Sequence, residues 1–111
     1  MAVALEDALR ALREHESELR RRGVRHAAVF GSVARGQATA ASDVDILVEL
    51  DPAAPLGLFE YARLKLDIAM LLDGRADVVN RATLKPLLRD RILNEAVDAF
   101  QESDTTPDRY S

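Results

Sequence analysis

The chain has 111 residues and no cysteine, which confines it to one small domain and removes disulfides, thiolate metal sites and a cysteine nucleophile. Hydrophobic residues make up 48% and charged residues 31%, the balance of a packed core rather than of a disordered chain. Nineteen acids against fifteen Lys and Arg give a net charge of −4, the wrong sign for a protein that grips nucleic acid through its phosphates.

The opening MAVALEDALRALREHE carries acids inside its apolar stretch, unlike a signal peptide, and no run approaches about 18 apolar residues. A cytoplasmic location without membrane contact is the expectation. Residues 5–22 predict one amphipathic helix, because Leu5, Ala8, Leu9, Leu12 and Leu19 recur at intervals of three, four and seven. Arg20, Arg21 and Arg22 precede Gly23, as a helix C-terminus prefers, and read as dipole complement and solvated surface. Val24–Phe30 predicts a first strand running into Gly31-Ser32, and 33–42 is small and polar, suiting one helical turn and a loop. Val44–Leu50 predicts a second strand, stopped by Asp51-Pro52 and Pro55.

Residues 56–72 read as a helix that is apolar around most of its circumference, with Glu60, Arg63 and Asp67 on a narrow polar stripe. That is more apolar than a surface helix of so small a domain needs, so it is a candidate contact face as well as a candidate core helix. Asp73-Gly74 marks a turn, Ala76–Val79 a third strand, and a last helix is expected from Thr83 through Phe100 with Pro86 in its first turn. The expected architecture is α+β (mixed α/β), a small mixed β-sheet of three to four strands covered by helices. One domain is expected over 1–103, with a flexible tail at 104–111.

Three features carry chemistry. Gly31-Ser32 ends a strand, Asp43-Val44-Asp45 follows ten residues later, and Asp77 sits beside two valines in another strand. Alternation in an extended chain projects Asp43 and Asp45 to one face and Val44 and Ile46 to the other. Two carboxylates side by side repel, each favouring protonation of the other, and bound divalent cations remove the conflict. Oxygen-only donors select Mg²⁺ or Mn²⁺, and Asp77 completes the set needed for two ions about 3.5–4 Å apart. At the turn, glycine permits close backbone approach, and the N–H groups that follow, with the Ser32 hydroxyl, suit a phosphate chain. The combination fits nucleotidyl transfer, and no G-x-x-x-x-G-K-[ST] pattern points to a Walker-type ATPase. Each residue alone has a blander reading: a turn glycine, an N-cap serine, a loop at Ser42-Asp43 capping its own backbone, an acid at a strand mouth. Jointly, G-S-x10-D-x-D arises by chance in on the order of one in a thousand chains of this length.

The stretch GSVARGQATAASDVDILV resembles the signature of the minimal nucleotidyltransferases (MNT family) of the DNA polymerase β-like superfamily. The acid within ADVV and the closing LKPLLRDRILNEAVDAF are similar to that family too, so the likeness spans residues 5–100. The resemblance implies a polymerase β-like fold in which Gly31 and Ser32 hold the phosphates of ATP and Asp43 and Asp45 bind two Mg²⁺ ions. It implies that Asp77 shares a metal and positions or deprotonates the acceptor hydroxyl. Arg35 matches the motif's arginine, as a phosphate contact or a structural salt bridge. Members of this family pair as antitoxins with HEPN-domain toxins, which implies transfer of AMP from ATP to a toxin tyrosine, the toxin being the product of the adjacent gene.

Two other functions are carried beside this one. A non-catalytic antitoxin would neutralise its partner by binding alone, and it has no need of three acids. An aminoglycoside-type nucleotidyltransferase would need a further domain to hold its small-molecule acceptor. The apolar 56–72 helix offers a face for a homo-oligomer or hetero-oligomer, and fits a chain too small to hold its own acceptor.

Overall fold

Val24–Phe30 forms β1, in which the consecutive residues Ala27, Ala28 and Val29 are all buried, so the strand has to lie inside the sheet. It pairs antiparallel with β2 (Val44–Leu50) on one side and with β4 (Val97–Phe100) on the other. β3 (Ala76–Asn80) joins β2 in parallel, giving a mixed four-stranded sheet in the order β3-β2-β1-β4. The computed structural model describes residues 4–53 and 56–101. The expected tail, and Pro55 as a strand stop, lie outside the described residues.

The helices are α1 (Leu5–Glu14), α2 (Glu16–Arg21), α3 (Gly31–Ala34), α4 (Leu58–Met70) and α5 (Pro86–Glu95), with a 3-10 turn at Arg81–Thr83. Strand alternation divides them between two faces. Val29, Val44, Ile46, Val48 and Val78 form one cluster with Ala8, Leu9 and Leu12 of α1, Leu19 of α2 and Leu64 and Ile68 of α4. Phe30, Asp45, Asp77 and Val79 have the opposite parity and face α5, whose Ile92 is buried there. The architecture is α+β, as expected. No helix among the described residues is long and apolar enough to cross a membrane.

The structure corrects the sequence reading in three places. The single helix expected over 5–22 breaks at His15, whose φ of −109° and ψ of 14° leave the helical region. After Leu12 the next inward positions fall on His15 and Glu16, so no apolar side chain carries the helix through, and His15 Nδ1 lies 2.9 Å from the Ala11 carbonyl oxygen instead. The closing helix expected to reach Phe100 ends at Glu95; Ala96 is extended and Val97–Phe100 becomes β4. Ile92, Ala96 and Phe100 fit a helical repeat on paper, but β1 would then present a row of unpaired backbone groups, and the strand pairing wins.

The third correction concerns the arginines. Arg20 and Arg22 are structural rather than merely solvated. Arg20 donates to Glu16 at 2.7 Å and to the Gln101 carbonyl at 2.9 Å, with its guanidinium 4.9 Å from the centre of the Phe100 ring. Arg22 pairs with Asp67 of α4 at 2.9 Å. Arg13 donates to the carbonyls of Ala99 and Asp98 at 2.9 and 3.0 Å, so the free edge of β4 is covered by side chains of α1 and α2. Gly23 takes the left-handed conformation expected of it, at φ 101°.

Candidate active site

β1 is extended through Phe30 and turns at once into α3, which requires Gly31 to take φ 76°. Space enforces glycine a second time. A Cβ on Gly31 would stand 2.1 Å from Asp45 Oδ2 and 3.0 Å from its Cγ, so the Asp45 carboxylate rests against the bare backbone of the turn. Register explains the approach. Phe30 is paired with Asp45 across β1 and β2, and Asp45 with Asp77 across β2 and β3. The sequence reading put the acids and the Gly-Ser turn together, and three adjacent strands bring Gly31, Asp45 and Asp77 to one row.

A cavity of about 520 Å³ opens over that row. Gly31, Ser32, Arg35, Asp45 and Asp77 line it together with Leu84, Leu88, Arg91, Ile92 and Glu95. Asp43 is placed differently. It stands one residue before β2, is exposed and does not line the cavity, although its charge reaches Asp45. The loop that carries it is tied down locally. Thr39 N–H donates to Ser42 Oγ at 3.0 Å, Ser42 N–H donates to the Thr39 carbonyl at 3.0 Å, and the Arg75 guanidinium donates to the Ala40 carbonyl. Ser42 thus takes the loop-capping role.

Burial, and after it the like charges of Asp77 and Asp43, hold the Asp45 carboxyl above its ordinary value; Glu95 adds to the effect and Arg35 opposes it. A carboxylate strained by its neighbours' charge is one that a cation relieves, and these donors are all oxygen, the set that Mg²⁺ takes. Among the described residues no three acidic or histidine side chains close a cage around an ion. Mg²⁺ is commonly held by one or two carboxylates together with substrate phosphates, and Asp45 and Asp77 supply two on one row of the cavity. The residues present therefore fit such a cation.

Arg35 makes a salt bridge in this structure. Its Nη1 lies 3.0 and 3.1 Å from the two carboxylate oxygens of Glu95, and its Nε donates to Gln37 at 3.0 Å. Glu95 itself was not singled out from the sequence. Reading one helix through to Phe100 hid it, and its partners Gly31 and Arg35 lie 64 and 60 residues away in the sequence.

Residues 12–99 match the nucleotidyltransferase domain family. The chain belongs to that family. It is 38% identical over 96 residues to the protein adenylyltransferase MntA of Thermococcus cleftensis, an alignment covering 86% of this chain and 95% of the relative. It is similar to a solved structure of a candidate minimal nucleotidyltransferase, at 44% identity and a TM-score of 0.70, covering 86% of this chain and 95% of the other. A complex of a tri-AMPylated Shewanella oneidensis HEPN toxin with its MNT antitoxin matches at 18% identity and a TM-score of 0.59, covering 86% and 75%, a likeness of fold. The chain is a nucleotidyltransferase, and the resemblance to the minimal branch stands.

Proposed function

We propose that this nucleotidyltransferase transfers AMP from ATP to a tyrosine hydroxyl of a partner HEPN toxin and so acts as its antitoxin in the cytoplasm. The reading rests on one observation above others: Asp45 and Asp77 are register partners on an open sheet face, with Asp45 against the bare backbone of Gly31. Support for the acceptor comes from the relative named for protein adenylylation and from the AMPylated HEPN partner of the MNT antitoxin.

In this reading Asp45 and Asp77 hold Mg²⁺, with Asp43 contributing from the mouth of the loop, and two ions are expected. When bound, the ions neutralise the triphosphate and stabilise the charge that develops at the α-phosphorus. Gly31 and Ser32 seat the phosphates, and Asp77 orients the acceptor hydroxyl and takes its proton. The hydroxyl oxygen bonds to the α-phosphorus as the bond to the bridging oxygen breaks, and pyrophosphate leaves. Val79, Leu84 and Leu88 give the cavity an apolar wall for the acceptor's aromatic ring.

The acceptor has to approach on the α5 side, because α4 packs on the opposite face of the sheet. Leu58, Phe59, Leu66 and Met70 of α4 are 62–85% exposed, and we assign them to holding a partner or second copy rather than to presenting the hydroxyl. The test is to incubate the chain with labelled ATP, Mg²⁺ and the product of the adjacent gene, and to measure the acceptor's mass. A gain of whole AMP units, lost in Asp45→Asn, is the expected result. Equal transfer by the variant would remove the metal assignment, and toxin neutralisation without any mass gain would leave binding alone as the mechanism.

A further inference from the structure

Glu95 is the last residue of α5 and reaches across to α3. Its Oε2 accepts the Gly31 N–H at 2.8 Å, and its two oxygens take Arg35 Nη1 at 3.0 and 3.1 Å. One carboxylate therefore holds the first residue of α3 and the residue that follows its last. α3 has only four residues, far fewer than a helix needs to be stable by itself. Its place against Asp45 has to be fixed from outside, and Glu95 is what reaches it from α5.

We propose that Glu95 is a positioning residue for the nucleotide, gripping the Gly31-Ser32 turn and Arg35 so that the phosphates meet a preformed seat beside Asp45. The inference rests on the nucleotidyl-transfer reading. Arg35 spends Nη1 on Glu95 and Nε on Gln37, and its Nη2 has no hydrogen-bond partner among the described residues. The clamp thus fixes the guanidinium while leaving one nitrogen for a phosphate oxygen. Both Glu95 oxygens are already engaged, by the Gly31 N–H and by Arg35, which makes it a clamp rather than one more metal ligand.

The experiment compares the full chain with Glu95→Gln and Glu95→Ala. It measures KM for Mg-ATP and kcat in transfer to the partner, the melting temperature, and amide hydrogen exchange along 31–35. Gln keeps an acceptor for the Gly31 N–H but loses the charge facing Arg35; Ala loses both. KM is expected to rise about tenfold in Glu95→Ala, equivalent to about 1.4 kcal/mol, and less in Glu95→Gln, with kcat within about threefold of wild type. Exchange should quicken over 31–35 and stay unchanged in β1 and β2. A KM that is unchanged, or a fall in kcat alone, overturns the proposal. A lower KM overturns it too, by making Glu95 a competitor for the phosphate seat. If Asp45→Asn is inactive while Glu95→Ala keeps the wild-type KM, only the positioning role falls; if the wild-type chain adds no AMP to the partner, the transfer reading falls and the exchange data alone judge the clamp. Should Glu95→Ala fail to fold, the near-isosteric Gln variant carries the same comparison.

Discussion

On the sheet face that carries Val44, Ile46 and Val48, three helices close over the strands and those side chains are fully buried. On the face that carries Asp45, Leu47 and Asp77, α5 packs with a cavity left open between it and the acids. The first face is built from aliphatic side chains with no charge to satisfy. The second gathers Asp45, Asp77 and Glu95 about one cavity and leaves the Asp45 carboxyl displaced from its ordinary value. The contrast teaches that hydrophobic burial on one side of a four-stranded sheet can hold like charges together on the other, where they are of use only to a ligand.

Asp45→Asn should break this division most sharply. Transfer is expected to fall by about a thousandfold or more, because the charge that attracts the cation is gone. Stability should move the opposite way. The folded-state pKa of Asp45 is raised, so ionising it disfavours the folded state; the penalty is absent below its ordinary value of 3.8, grows as pH rises from there, and is complete above the folded pKa. Thermal melting without metal should therefore favour the variant at pH 7 and show no advantage in acid. On the closed face the signs reverse. Leu64→Ala or Ile68→Ala should cost about 2–5 kcal/mol in denaturant unfolding, with kcat per folded molecule unchanged. Gly31→Ala stands between them, since it meets both the left-handed backbone and the Asp45 carboxylate. A fall of about a hundredfold in transfer with about 1–3 kcal/mol of stability is expected, read by the same two assays.

The open face was more legible in the sequence than the closed one. Gly31, Ser32, Asp45 and Asp77 could be brought together on paper because a turn glycine and alternating strand acids are local signals, and register then does the rest. Asp43 was harder. Alternation pairs it with Asp45 only if the strand begins early enough, and the chain enters β2 one residue later. Glu95 and β4 escaped for a single reason: the stretch from Ile92 to Phe100 satisfies a helical repeat, and only the unpaired edge of β1, a long-range fact, decides for a strand. The break at His15 is local, but it shows in the sequence merely as two missing apolar positions.

The smallest expected effect tests the outer surface of the closed face. Phe59 and Leu66 are 85% and 62% exposed on α4, so Phe59→Asp with Leu66→Asp removes no core contact and should leave stability within about 0.5 kcal/mol. KM for Mg-ATP should stay at the wild-type value, because the cavity lies across the sheet from this helix. Affinity for the partner, measured by calorimetry, should weaken about tenfold if α4 holds it, as loss of two apolar contacts at an interface does. The companion variant Leu88→Asp, on α5 where the side chain is 45% exposed and lines the cavity, should instead lower the rate of acceptor modification. Were the two variants to exchange these effects, the acceptor would be approaching over α4, and the separation of a stabilising face from a reacting face would have to be drawn along the sheet rather than through it.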